Sequence, residues 1–266
     1  MRGHGRWFLG SVRPVRIARV SVEGSPRFGV VGGEGDLRSV ALLSAHPFGD
    51  MQLTGEQVPL RQPLAPILPS KIIGIGKNYA DHAAEMGGEA PAEPLMFFKP
   101  NTSVIGPGDA IRMPDTRVDY EGELAVVIGR LCREVPVSRV PEVILGYTCA
   151  NDVTARDWQK SDGQWARAKG LDSFCPLGPW IETDVDPSDL QLRTTVDGAV
   201  RQDGRTSMLI HDVPTLVSYV STYFTLIPGD VILTGTPAGI GPLTDGQSVS
   251  VEIEGIGILT NPVVTR

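Results

Sequence analysis

The sequence predicts an α+β fold that is rich in β-structure, on three observations. Glycine (31) and proline (22) are abundant for a chain of 266 residues, which favours many short strands and turns over long helices. Short apolar runs are punctuated by glycine and proline, as in RIARVSVEG, KIIGIG and GDVILTG. One segment, DVPTLVSYVSTYFTL, carries a clear amphipathic stripe, with Val213, Leu216, Val217, Val220 and Phe224 on one helical face.

Taken in order, residues 1–14 carry positive charge, a short apolar patch and no A-x-A site. They make a poor signal peptide and are expected to be a disordered extension. Residues 15–66 alternate short strands with glycine turns (RIARVSV, RFGVVGGEGDLRSVAL) and are assigned to a small N-terminal β-rich domain. QPLAPILPSK reads as a proline-rich linker into a larger domain, residues 67–266. There, 71–75 reads as a buried strand running into a helical turn that Gly87 and Gly88 stop. LMFFKP and DYEGELAVVIG are further strands. A short helix from Val140 leads to GYTCANDVTARDWQ, and KSDGQWARAKG reads as a polar loop. VDPSDLQLRTTVDGAVRQDG reads as a hairpin turning at Asp197-Gly198. The amphipathic helix is expected to pack across a sheet, and SVSVEIEGIGILTNPV closes the chain with strands. GPGDAIRMP and IPGDVILTGTP share a Pro-Gly-Asp turn that launches a strand, which is reused turn chemistry and not a repeat period.

Composition excludes several classes. The net charge is −7 with no basic stripe, which argues against nucleic-acid and anionic-membrane partners. No apolar run approaches the eighteen or more residues of a membrane span. Cys132, Cys149 and Cys175 form no C-x-x-C pair, so neither a disulfide framework nor a zinc knuckle is expected. They read as buried thiols in a reducing, cytoplasmic setting.

The chemistry concentrates in a few places. In DYEGELAVVIG, Glu121 and Glu123 are two apart on a strand and share a face. A strand with one wet face is a common home for such a pair. The alternative is a metal site. With Asp152, in CANDVT, the pair supplies three oxygen donors on apolar surroundings, which suit a hard cation such as Mg²⁺, Mn²⁺ or Ca²⁺. His82 and Glu85 are three apart and face the same way on a helix, as a general base and its orienting carboxylate or as a surface pair. Lys169 can stabilise an oxyanion or be a solvated charge. In GTPAGIG, Gly235, Gly239 and Gly241 allow backbone N–H groups close to a substrate carboxylate.

GKNYADHAAEMG, FFKP, DYEGELAVVIG, NDVTARDWQ, AKGLDSFCPLGP and GDVILTGTPAGIGP together resemble the fumarylacetoacetate hydrolase family, more narrowly its bacterial 2-hydroxyhepta-2,4-diene-1,7-dioate isomerase-like members. The likeness runs from about residue 70 to the C-terminus, and the N-terminal portion resembles the small leading domain of the same group. The resemblance implies a mixed β-sandwich roll with the active site at one mouth, in a homodimer. It implies Glu121, Glu123 and Asp152 as ligands of Mg²⁺ or Mn²⁺, with Ca²⁺ also compatible, and no organic cofactor. His82 and Glu85 match the lid residues, Lys169 the active-site lysine, and Gln159 and Thr236, beside Gly235, substrate-binding positions. Asp81 matches an aspartate used by members that hydrolyse fumarylacetoacetate and is left outside the ligand set. The implied activity is isomerisation or C–C bond hydrolysis of a 2-oxo or 1,3-diketo acid through its enolate, in aromatic-compound catabolism. An oxaloacetate decarboxylase or acylpyruvase is the alternative within the class, and a non-catalytic metal-stabilised binding protein the alternative outside it. Substrate specificity is expected in residues 86–94 and 160–168.

Overall fold

The Gly122–Ile128 strand runs through the interior of an 11-stranded sheet. This computed structural model describes residues 15–49, 51–87 and 91–266, so the extension expected at 1–14 and part of the 86–94 segment lie outside the described residues. In spatial order the sheet runs Leu53–Pro59, Ser39–Leu43, Ser25–Gly32, Arg16–Val22, Cys175–Glu182, Ile144–Asn151, Gly122–Ile128, Val231–Leu233, Ile72–Gly76 and Leu95–Lys99, with Val104–Ile105 paired beside Cys175–Glu182. A 5-stranded sheet is ordered Ala199–Arg205, Gln191–Val196, Ser248–Ile253, Gly257–Thr265 and Ile111–Met113. A 3-stranded sheet joins Thr154–Ala155, Val118–Tyr120 and Gly241–Pro242.

Side-chain alternation sets the layers. Leu124, Val126 and Ile128 enter a core with Leu192, Val251 and Ile253 of the 5-stranded sheet. Ala125 and Val127 enter the opposite core with Leu177, Ile181 and Leu233. The strand is therefore buried on both faces, which rules out a wet face for its glutamates.

The small N-terminal unit continues the large sheet through a short junction, Arg16↔Glu182 and Ile17↔Ile181. The proline-rich segment is packed rather than loose: Ala65 and Ile67 are buried, and Ile67 shares a core with Ile17, Ile72 and Val231. Its alternation of apolar residues with prolines gives it a face to bury.

Four α-helices are described: α1 (Ala80–Glu85), α2 (Arg156–Ser161), α3 (Ala166–Lys169) and α4 (Val213–Tyr223). In α4, Asp212 accepts the Thr215 N–H at 2.9 Å as an N-cap. Val213, Leu216, Val217 and Val220 are buried as the stripe demands, whereas Phe224 ends the helix and packs edge-on against Phe98. The hairpin turns at Asp197 (φ 50°) and Gly198 (φ 79°), both left-handed as a two-residue turn requires. The helix read from Val140 is the 3₁₀ segment Val137–Glu142. The expected polar loop 160–170 contains α3, a single turn too short to leave a periodic signature.

Candidate active site

The two glutamates flank Gly122, and the glycine explains their placement. Its N–H donates to Gln202 Oε1 at 3.0 Å and its carbonyl accepts the Thr236 hydroxyl at 2.8 Å. A Cβ there would lie 2.1 Å from Thr194 Oγ1. The backbone is thus pressed against the 5-stranded sheet at Gly122, and Glu121 and Glu123 project to the other side. Asp152 follows the neighbouring strand Ile144–Asn151. It is fixed there by its own N–H to the Glu121 carbonyl at 2.8 Å, and the Glu121 N–H donates to Asn151 Oδ1 at 2.9 Å. One carboxylate oxygen from each of Glu121, Glu123 and Asp152 lies within 4.8 Å of the others. All three side chains are buried.

Three buried cations surround them. Lys169 Nζ donates to Glu121 Oε2 at 2.7 Å and to Asp152 Oδ2 at 2.5 Å. Lys99 Nζ donates to Asp152 Oδ1 at 2.5 Å. Arg156 Nη2 donates to Glu121 Oε1 at 2.5 Å, while its Nε holds Asp119 at 2.9 Å. Burial pushes the Glu121 carboxyl up, but the charges of Lys169 and Arg156 outweigh it and hold the group below the ordinary carboxylate range. Glu123 goes the other way: burial first, then the charges of Asp152 and Glu121, push it well up. Among the described residues Glu123 has no ion-pair partner, only the Gly235 N–H at 2.6 Å. Burial alone would lower Lys169, yet Asp152 and Glu121 raise it, so it is a bound ammonium and not a solvated charge.

The sequence-derived candidates mostly meet in one cavity of about 190 Å³, lined by His82, Glu121, Glu123, Asp152, Gln159, Lys169 and Thr236 among others. His82 Nδ1 is 3.1 Å from Glu85 Oε2, and Glu85 also accepts the Gly239 N–H at 3.1 Å. Gln159 Oε1 accepts from Arg156 Nη1 at 2.5 Å. Thr236 gives its proton to the Gly122 carbonyl and accepts from Gln202 Nε2 at 2.7 Å. The glycine loop is used differently from expectation: the Gly235 and Gly239 amides are taken by Glu123 and Glu85, and Gly241 pairs with Tyr120. Asp81 is exposed, accepts the His82 N–H at 2.8 Å and is not among the residues that line the cavity.

Sequence pattern alone does not single out Lys99 or Arg156. The signals present were a lysine closing the apolar strand LMFFK and an arginine opening α2 directly after a buried strand. Each reads as an ordinary surface charge until its partner is known.

The acidic triad suits a divalent ion. Its donors are hard oxygens, and Glu123 is a buried carboxylate lacking a cation of its own, the charge such an ion would neutralise.

The family description Fumarylacetoacetate (FAA) hydrolase C-terminal matches residues 71–264, around all of these side chains. The chain belongs to the fumarylacetoacetate hydrolase family. A second description, Rv2993c-like N-terminal, matches residues 15–62. Protein Rv2993c of Mycobacterium tuberculosis is 54% identical over 262 residues, 95% of this chain and 99% of that protein. Among solved members of the family, 5-carboxymethyl-2-hydroxymuconate delta-isomerase from Mycobacterium smegmatis is 54% identical with a TM-score of 0.89, covering 94% of this chain and 100% of that one. The 2-hydroxyhepta-2,4-diene-1,7-dioate isomerase from Mycobacterium marinum is 52% identical with a TM-score of 0.88, covering 95% and 99%. These strand-rich fumarylacetoacetate hydrolase neighbours agree with the fold that the motifs implied. Among the described residues no helix is long and apolar enough to cross a membrane.

Proposed function

We propose that this protein is a divalent-metal-dependent isomerase or C–C bond hydrolase acting on a 2-oxo or 1,3-diketo acid through its enolate. The observation that carries the reading is the buried triad Glu121, Glu123 and Asp152, with Glu123 uncompensated, in the same cavity as His82. Solved relatives named for acting on 5-carboxymethyl-2-hydroxymuconate and 2-hydroxyhepta-2,4-diene-1,7-dioate support it. Both compounds carry a 2-hydroxydienoate and a carboxylate at the far end.

Glu121, Glu123 and Asp152 would hold Mg²⁺ or Mn²⁺, and the ion supplies Lewis-acid stabilisation of an enolate oxygen. The chain's own residues do the rest. Glu85 holds Nδ1 of His82, which leaves Nε2 to carry a proton to or from the substrate. Lys169 keeps a positive charge beside the two carboxylates that it bridges, where negative charge develops on the substrate. Gln159 and Thr236 shape the walls, and Gly235 serves the site by fixing Glu123. Proton transfer alone gives isomerisation, water attack gives C–C hydrolysis, and loss of CO₂ gives decarboxylation; all share the enolate. The motif resemblance adds a role in aromatic-compound catabolism for a cytoplasmic homodimer, with a domain boundary between residues 66 and 67.

The test is turnover of a panel of 2-oxo, acylpyruvate and dienedioate acids by the metal-stripped protein reloaded with Mg²⁺ or Mn²⁺, alongside His82→Ala. Metal-dependent turnover that His82→Ala abolishes is expected. Metal-independent behaviour on every compound would favour a binding protein instead.

A further inference from the structure

We propose that Lys77 is the specificity-determining residue of the cavity and binds the distal carboxylate of a dicarboxylate substrate. This rests on the functional reading above and adds the recognition of the end of the substrate that does not react.

Lys99, Arg156 and Lys169 are buried and committed to Asp152, Glu121 and Asp119. Of the other cationic side chains that line the cavity, Lys160 is exposed on α2 with Asp157 on the same helix. Lys77 is half-buried, lines the cavity, and has no hydrogen bond or ion pair to any described residue. A half-buried lysine in a cavity wall without an ion-pair partner offers a position for an anion.

The backbone at Lys77 makes the same point. Its φ is 56°, a left-handed conformation that glycine and asparagine adopt at far less cost than lysine. The turn is held in place by its successor: Asn78 Nδ2 donates to the carbonyls of His211 at 3.0 Å and Thr234 at 2.8 Å, and Asn78 Oδ1 accepts the His211 N–H at 2.9 Å. Before it, Gly76 lies so close to Trp165 that a Cβ would be 3.0 Å from the indole. The fold therefore clamps a bend where a lysine is locally unfavourable and the residue lines the cavity. Backbone strain of this kind clusters at ligand-binding sites. Trp165 and Met86 line the same cavity and are half-buried, suited to the hydrocarbon between two carboxylates.

The experiment measures binding of 2-oxoadipate and of 2-oxohexanoate, its equal in length without the distal carboxylate, to Mn²⁺-loaded protein by calorimetry. Wild type should prefer the dicarboxylate by about tenfold, the size of one charge-assisted contact. Lys77→Met should erase the preference by weakening 2-oxoadipate alone. Lys77→Gly should do the same with a melting temperature equal to or above wild type, which separates recognition from folding. Equal binding of both acids by wild type, or a preference that survives Lys77→Met, or an equal loss for both acids, overturns the assignment. If neither acid binds the loaded wild type, the functional reading itself falls, and the role of Lys77 with it.

Discussion

Lys99 Nζ lies 2.5 Å from Asp152 Oδ1 with both side chains buried, 53 residues apart in sequence. The lysine closes the edge strand Leu95–Lys99, whereas the aspartate follows an interior strand of the same sheet. Removing one partner of such a pair leaves a buried charge short of compensation. Lys169 still holds the other oxygen of Asp152. Lys99→Met should therefore lose about 3 kcal/mol, at the low end for a broken buried pair. The readout is a fall in the urea midpoint at constant slope; an unchanged midpoint would mean that Lys99 is not compensating Asp152.

The two glutamates should respond oppositely to pH in the metal-stripped protein. Glu123 is raised by burial and by Asp152 and Glu121. Its folded state holds the proton more tightly than the unfolded chain, so the stability it contributes is full below its ordinary value near 4.5 and is lost as pH rises through the raised value. Glu121 is lowered on balance, so its contribution is present above 4.5 and is lost as pH falls. Glu123→Gln should flatten the alkaline side of the stability profile, making the stripped variant at least as stable as wild type there, and leave the acid side unchanged. Urea midpoints across the pH range test this, and a variant less stable than wild type at alkaline pH contradicts it.

Metal should stabilise wild type and not that variant. At a hundredfold excess over Kd, an ion bound only by the folded state contributes about 2.7 kcal/mol, or roughly 5–10 °C in Tm for a chain of this length. Thermal scans with and without Mn²⁺ read this directly, and a chelator should reverse it in wild type alone. A wild-type Tm indifferent to Mn²⁺ would remove the triad as a metal site.

The parts of this site that sequence could show are those that depend on neighbours along the chain. Glu121 and Glu123 share a face because strands alternate, and the Asp197-Gly198 turn and the α4 stripe follow from equally local rules. The charge compensation is not local: Lys169 meets Glu121 across 48 residues, Arg156 meets Glu121 across 35 and Lys99 meets Asp152 across 53. No periodicity encodes such pairings. They follow from strand order, which places 122–128 beside 144–151 and lays the 5-stranded sheet against Gly122. The same ignorance of strand order made a wet face a reasonable alternative for glutamates that the structure buries on both sides.

His82 and Glu85 should separate in kinetics. His82→Ala should lower kcat by about 10²–10⁴, the range for a lost general acid–base. Glu85→Gln keeps a hydrogen bond to the ring but removes the carboxylate that orients it, and it weakens the tie to the Gly239 N–H. Its kcat should fall by about tenfold, a smaller loss than for His82→Ala, because the acid–base group is kept and only its orientation is weakened. An unchanged kcat would show that Glu85 does not position His82.

Gly122→Ala tests whether the triad is preorganised by the packing behind it. The added methyl would sit 2.1 Å from Thr194 Oγ1 and 3.3 Å from Gln202 Oε1. Gln202 is the acceptor for the Gly122 N–H and also binds Thr236 and the Pro237 carbonyl, so a shift there propagates to the far wall of the cavity. Thr194 is buried and its backbone is held by pairing with Val251, so only its hydroxyl can turn, and turning it brings another substituent of the same Cβ toward the new methyl. Strain left after that rotation pushes the Glu121–Glu123 segment toward the cavity. Overpacking of this kind costs about 1–3 kcal/mol, and the carboxylates lose their registry because both hang from the displaced backbone. The expected outcome is a folded protein with reduced Tm whose Mn²⁺ affinity falls by more than tenfold. Folding with wild-type metal affinity would show that the close approach at Gly122 serves the sheet interface alone.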